Sequence, residues 1–475
     1  MATPTIKFGT DGWRAVIAED FTFDNVRICA QAAADYLKDS KLDHQGLVIG
    51  YDTRFASENF AAASAEVVAA NGIKVYLCQT STPTPVTSYA VLSHKAGGGI
   101  MITASHNPGR WNGFKYKEET GCSASTQVVA ELEKHIVRIQ GECSVNRMPL
   151  ARALATGEVE RIDPYPAYYR QLEKLVDLDR LRNSGFKIMM DSMYGAGSGY
   201  FSRLLSGGTT EVAEIHGERN PAFPGLQPEP IAPNLGELIA KIKDEGADVG
   251  LATDGDADRI GIVDENGRFL TTLEVFALLA LYLLEVRGER GAVVKTITTT
   301  SMLYRLGELY GVPIHETAVG FKYVAPVMVA EDALIGGEES GGFGFRGHIP
   351  ERDGILAGLL FLDFMVREQK SPSQLLDYLF SKVGPHYYDR TDIDFPANDR
   401  DAIIGRLSGL KPADIDGASV ASMDTGDGFR FIMDDGSWLL IRFSGTEPIM
   451  RVYSESDSPD RVQRFIAAGR EMAGV

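Results

Sequence analysis

A serine in a polar turn directly after an apolar run is the first place where this chain could do chemistry. Gly98–Thr103 has the pattern of a buried strand, and Thr103-Ala104-Ser105-His106-Asn107-Pro108 follows from it. A hydroxyl at the C-terminal end of a strand can face a ligand, and His106 or Lys115 could manage protons for it. Taken alone, the segment also reads as an ordinary Ser-Asn-Pro turn. A second segment, Asp254-Gly255-Asp256-Ala257-Asp258-Arg259, sets three carboxylates at alternate positions with a small residue between them. Such a set can converge on one hard cation, and magnesium wants oxygen ligands in near-octahedral geometry. A calcium-binding EF-hand loop fails here, because its obligatory glycine at position six would fall on Arg259. A solvated acidic turn is the plain alternative, but three carboxylates directly after an apolar strand repel each other without a cation.

Two further segments complete the set. Gly336-Gly337-Glu338-Glu339-Ser340-Gly341-Gly342 places hydroxyl-binding side chains, Glu338 and Ser340, between glycines that let backbone approach a ligand. Arg442-Phe443-Ser444-Gly445-Thr446-Glu447-Pro448, with Arg451 beyond, offers two guanidinium groups, two hydroxyls and a glycine turn, which suit a phosphate cradle. By themselves these are a flexible loop and a surface turn. Together, the four segments describe an oxygen nucleophile, a divalent metal, a hydroxyl-reading loop and a separate phosphate clamp. That combination suits phosphoryl transfer on a phosphosugar whose two ends must alternately face the serine.

The elements that must position these groups alternate strand and helix. Leu47–Tyr51, Ile73–Leu77 and Gly98–Thr103 read as strands, with a helix over Phe60–Ala70. The pattern restarts at Lys187–Asp191, running on to Asp248–Thr253, and again at Ala292–Thr296, running on to Ala333–Ile335. Each unit ends in a polar loop after a strand, where open α/β sheets place ligands. The last hundred or so residues read differently, as strands over Thr391–Phe395, Phe429–Met433 and Trp438–Phe443 and a helix over Asp460–Glu471. The expected fold is three related α/β domains with mixed sheets and a smaller C-terminal α+β domain around a central cleft. Domains are expected at 1–157, 158–267, 268–380 and 381–475, with linkers near Thr156–Glu160, Asn266-Gly267 and Val383-Gly384.

On the strength of these four motifs, in this order, the chain resembles the α-D-phosphohexomutase family, in its phosphoglucomutase and phosphomannomutase branch. The smaller segments Gly9-Thr10-Asp11-Gly12-Trp13-Arg14, Asp52-Thr53-Arg54, Asn112-Gly113-Phe114-Lys115 and Pro228-Glu229-Pro230 add to the likeness, which spans essentially the whole chain. The resemblance implies a phosphorylated Ser105 and one Mg²⁺ held by a phosphoserine oxygen with Asp254, Asp256 and Asp258. It sets Arg14, Lys115 and Arg259 beside the reacting groups, with His106 a further candidate for proton transfer. Glu338 and Ser340, with Gly337 and His348, would surround the sugar. Arg442, Ser444, Gly445, Thr446 and Arg451 would hold the distal phosphate. The implied reaction interconverts glucose 1-phosphate and glucose 6-phosphate, with glucose 1,6-bisphosphate as intermediate and activator. Glu338-Glu339-Ser340 and His348-Ile349-Pro350-Glu351-Arg352-Asp353-Gly354 resemble the phosphoglucomutase version, whereas Gly342 lacks a histidine that some members carry, which shifts proton transfer towards Lys115 and His348. The alternatives are a phosphomannomutase or dual-specificity mutase and, from another class, a non-catalytic sugar-phosphate-binding paralogue.

Bulk composition narrows the partners. A net charge of −18 over 475 residues should repel nucleic acid and anionic membranes, so an anionic hexose phosphate must meet a local cluster of cations. Cys29, Cys78, Cys122 and Cys143 form no CxxC pair and read as scattered thiols of a reducing compartment. The N-terminus carries no secretion pattern and the longest apolar stretches are too short to span a bilayer. The expectation is a cytoplasmic monomer or homodimer.

Overall fold

Short apolar runs alternating with amphipathic segments fold into four sheets in the computed structural model of the chain, which describes residues 6–9, 11–443 and 449–475. The first sheet comprises β1 (Trp13–Val16), β2 (Leu47–Tyr51), β3 (Val75–Cys78), β4 (Gly98–Ile102), β5 (Trp111–Glu118) and β6 (Val159–Ile162), in the order β1-β5-β4-β2-β3-β6. The second comprises β7 (Lys187–Asp191), β8 (Glu211–Ile215), β9 (Val249–Thr253), β10 (Ile260–Asp264) and β11 (Phe269–Leu270), in the order β11-β10-β9-β7-β8. The third comprises β12 (Val293–Thr296), β13 (Ile314–Thr317), β14 (Ile335–Gly337) and β15 (Phe343–Phe345), in the order β13-β12-β14-β15.

These three sheets share one topology. A first strand lies between two parallel neighbours, and the later neighbour turns back into an antiparallel strand: β4 into β5, β9 into β10, β14 into β15. The turn at that reversal carries, in sequence, Ser105, the three aspartates and Glu338. The three related α/β units expected from the restarts are therefore present, and each presents its motif at the end of a parallel strand.

One expected linker is corrected. Thr156 ends a helix and Val159–Ile162 pairs parallel with β3, so the first sheet runs past residue 157 to Ile162. Asn266-Gly267 is the tight turn joining β10 to β11, stabilised by Asp264 accepting from both the Asn266 and Arg268 amides. Local polarity misled at Thr156–Glu160, because an edge strand looks like a linker when its pairing partner is far away in sequence. Gly384, by contrast, does cap a helix end, with φ 83°.

The first domain has its own core. The second and third share one, built around the helices Thr272–Leu281 and Gly354–Glu368. The first of these is buried along its whole length and the second from Gly354 to Met365. A helix apolar all round must lie inside, and each fully buried Leu, Ile or Phe contributes roughly 1.5–3 kcal/mol. The fourth sheet is β16 (Tyr387–Asp394), β17 (Asp414–Ile415), β18 (Ala418–Asp424), β19 (Phe429–Met433), β20 (Trp438–Phe443) and β21 (Ile449–Ser456), in the order β16-β21-β20-β19-β18-β17, and it is antiparallel throughout. One face of it packs Trp438, Leu440 and Tyr453 against Ile297 of the third domain. The four cysteines are unpaired, and no helix among the described residues is long and apolar enough to cross a membrane.

Candidate active site

Ser105 sits in the left-handed region at φ 51°, a conformation a non-glycine residue holds only when its surroundings impose it. Arg54 is what imposes it. Its guanidinium donates to the carbonyls of Ser105 (2.5 Å), Asn107 (2.6 Å), Pro108 (3.0 Å) and Trp111 (3.1 Å), and its Nε lies 3.2 Å from Asp52 Oδ2. Both side chains are fully buried. Burial pushes the Asp52 carboxyl up, against the pull of Arg54. The Ser105 amide adds a bond to Thr103 Oγ1 at 2.9 Å.

The serine meets the aspartate loop directly. Ser105 Oγ donates to Asp254 Oδ2 at 2.7 Å. A Cβ on Gly255 would come within 2.4 Å of the Ser105 carbonyl oxygen, so only glycine lets the two loops touch. Thr84 anchors the loop to the first domain through its amide on the Asp256 carbonyl (2.9 Å) and its hydroxyl on Asp256 Oδ2 (2.6 Å). One oxygen from each of Asp254, Asp256 and Asp258 lies within 4.8 Å of the others, and all three residues are buried. Asp256 Oδ1 and Asp258 Oδ1 have no hydrogen-bond partner among the described residues. Burial and the two neighbouring carboxylates push Asp254 well above the usual range, and burial raises Asp258 too. Buried, mutually repelling, oxygen-only ligands with orphaned atoms fit a hard divalent cation.

Cations already offset part of that repulsion. Lys115 Nζ lies 2.8 Å from Asp256 and 2.7 Å from Asp11. Arg352 reaches Asp258 at 2.7 Å and Asp11 at 2.9 Å. Burial works against the Lys115 ammonium, yet Asp11 and Asp256 hold its pKa above the ordinary lysine value. Its ammonium is thus favoured by the carboxylates around it. His106 lies beside the serine hydroxyl. Its Nδ1 is 3.3 Å from Ser105 Oγ, and burial, together with Arg259, Arg14 and Lys115, keeps the imidazole neutral. Arg14 donates to Asn107 Oδ1 at 2.7 Å, and Arg259 pairs with Glu229 at 3.2 Å.

In the third domain Glu338 lies 3.3 Å from Arg352. A Cβ at Gly342 would fall 2.3 Å from Arg352 Cδ, so the glycine there makes room for that arginine. Ser340 Oγ is buried without a partner among the described residues, as a group awaiting a ligand hydroxyl would be. Gly337 is packed against Phe343 and Phe276. His348 is not brought to this group. Its side chain is wholly buried, with Nε2 2.9 Å from Asp353 Oδ2 and the ring stacked on Tyr89. Asp353 also accepts from Tyr168 and caps the helix that begins at Gly354.

Arg442 and Arg451 face each other directly across β20 and β21. Like charges at opposed positions destabilise a sheet. Here Asp427 (3.0 Å from Arg442) and Asp392 (3.2 Å from Arg451) offset them, and the pair offers two guanidinium groups to an anion. Ser444, Gly445 and Thr446 lie outside the described residues. Asp11, Arg54 and Arg352 stood in the short segments that carried the resemblance, but nothing local assigned them a part.

Similarity to known proteins supplies the frame for this geometry. The phosphoglucomutase/phosphomannomutase α/β/α domain I matches residues 5–142, domain II 166–267, domain III 273–383 and the C-terminal domain 404–471. A Thermococcus kodakarensis protein described as phosphoglucomutase/phosphomannomutase is 32% identical, covering 97% of both chains. One from Methanothermobacter thermautotrophicus, described as a phosphoglucosamine mutase, is 30% identical over 96% of this chain and 95% of its own. A crystal structure from Thermus thermophilus, described as a phosphomannomutase, superposes with a TM-score of 0.86 at 34% identity, covering 100% of each chain.

Proposed function

This chain belongs to the phosphoglucomutase/phosphomannomutase family and is a phosphohexomutase, an isomerase, and from that premise we propose that it interconverts glucose 1-phosphate and glucose 6-phosphate through a phosphorylated Ser105. The observation that carries the reading is Ser105 Oγ at 2.7 Å from Asp254, at the meeting of the first and second domains. The phosphoserine gives its phosphoryl group to the sugar's O6, making glucose 1,6-bisphosphate. The bisphosphate turns end for end, and Ser105 takes the phosphate from C1. His106 takes the proton of the attacking hydroxyl, being neutral and 3.3 Å from Oγ. Lys115, Arg14 and Arg259 neutralise charge on the moving group. Glu338 and Ser340 read sugar hydroxyls, while Arg442 and Arg451, with Ser444, Gly445 and Thr446, hold the phosphate that does not react.

One Mg²⁺ would be held by Asp254, Asp256, Asp258 and a phosphoserine oxygen, where it would supply charge neutralisation to the phosphoryl group. Chelation is therefore expected to abolish activity and Mg²⁺ to restore it, with Asp256→Asn raising the Mg²⁺ needed for half-maximal rate. A protein that works best with zinc would contradict the ligand set. Arg451→Ala should lower kcat/KM by about 10- to 150-fold, the worth of one charge-assisted hydrogen bond. Unchanged kinetics would remove the fourth domain from substrate binding.

The decisive assay couples glucose, mannose and glucosamine 1-phosphates to 6-phosphate detection, with a trace of 1,6-bisphosphate. Glucose 1-phosphate should be turned over fastest. A faster rate with mannose or glucosamine, the sugars named for two of the relatives, would move the specificity to that sugar.

A further inference from the structure

We propose that Glu339, Arg390 and Asp392 form a positioning relay that makes hydroxyl reading in the third domain conditional on phosphate capture in the fourth. The inference rests on the functional reading above and concerns three residues that touch neither substrate nor metal in it.

Glu339 stands between the two proposed sugar readers, Glu338 and Ser340, yet it serves a different partner. Its carbonyl oxygen accepts from Thr272 Oγ1 at 2.5 Å, which fixes the loop backbone to the third domain. Its carboxylate reaches across to the fourth domain, accepting from Tyr388 Oη at 2.8 Å and Arg390 Nη1 at 3.0 Å. Tyr388, Arg390 and Asp392 alternate along β16 and so share one face. On that face Asp392 is opposite Arg451, and Arg451 is opposite Arg442.

Asp392 divides its two oxygens between two arginines. Oδ1 lies 3.0 Å from Arg390 Nε and Oδ2 lies 3.2 Å from Arg451 Nε. The result is an unbroken chain of charged contacts: Arg451, Asp392, Arg390, Glu339, sugar loop. A phosphate on Arg451 competes with Asp392 for that guanidinium. Asp392 is then left to Arg390, and the pull on Glu339 changes with it. Because Glu338 and Ser340 flank Glu339 in a short loop, that pull sets where they stand. Such coupling suits a bisphosphate that must be gripped by one phosphate each time its sugar is presented in a new orientation.

The test compares Glu339→Gln, Arg390→Met, the double variant and the conservative Arg390→Lys. Two quantities are read: kcat/KM with glucose and mannose 1-phosphates, and the glucose 1,6-bisphosphate concentration giving half-maximal rate. Each single variant should lose about 10-fold in kcat/KM, equally for both sugars, and need about 10-fold more bisphosphate because the intermediate escapes before it is re-gripped. The double variant should be no worse than the worse single, and Arg390→Lys should recover part of the loss. Losses that multiply in the double variant would overturn the relay, since the residues would then act separately. So would a loss confined to one sugar, which would mean that Glu339 touches the hydroxyls itself. A lower kcat with an unchanged bisphosphate requirement would leave the pair a purely structural role and overturn it too. A wild-type protein inactive on glucose 1-phosphate would refute the glucose reading alone, and the relay would then be read on whichever sugar phosphate is turned over.

Discussion

Ser105→Ala is expected to keep the fold and to lose turnover by about 10⁴-fold or more, the scale seen when an enzyme's nucleophile is removed. The side chain is buried and makes one strong bond, to Asp254 Oδ2, so its removal should cost only about 1–3 kcal/mol of stability. The backbone turn that carries it is held by Arg54 and Thr103, neither of which needs the hydroxyl. Intact-protein mass of the wild type should show a phosphorylated fraction, about 80 Da heavier by the mass of the added group, that the variant lacks. Full activity in the variant, or the same phosphorylated fraction in both, would sink the phosphoserine reading.

Arg54→Met should be the most damaging change away from the nucleophile. It leaves Asp52 as a buried carboxylate without its counter-ion and takes the Arg54 bond from four carbonyls, and breaking one side of a buried ion pair costs about 3–5 kcal/mol. Activity should fall with stability, because the left-handed turn at Ser105 loses most of the bonds that hold its backbone. Arg54→Lys should rescue little, since a single ammonium cannot reproduce a planar fork that serves four carbonyls and a carboxylate. Urea unfolding and kcat measured on both variants check this. An unchanged midpoint with unchanged kcat would show that the turn holds itself.

The chemistry-bearing groups were legible where one short segment contains them. The three aspartates need only a strand end and two small spacers to converge, and that requirement is written between Asp254 and Asp258. Ser105 was legible for a similar reason, as the first polar turn after a buried strand. The strand-and-helix alternation likewise announced three repeated α/β units, because periodicity is a local property.

What the sequence by itself determined about this protein is therefore its local chemistry: which loops carry the serine hydroxyl, the three carboxylates, the glycine-flanked Glu338 and Ser340, and the arginine pair. Tertiary structure decided how these are held and charged. Arg352 and Asp11 are 341 positions apart, and neither position signals that it will meet the other beside Asp258. The same holds for Arg54, four of whose partners are backbone carbonyls and so leave no side-chain trace in the sequence. His348 follows the sugar loop in sequence, yet its ring is paired with Asp353 at a helix start, a partnership that nothing local announces. The physical reason is common to all three. Burial makes an unpaired charge expensive, so each buried charge goes to whatever partner the fold brings within reach, and that reach is set by packing between domains and not by distance along the chain.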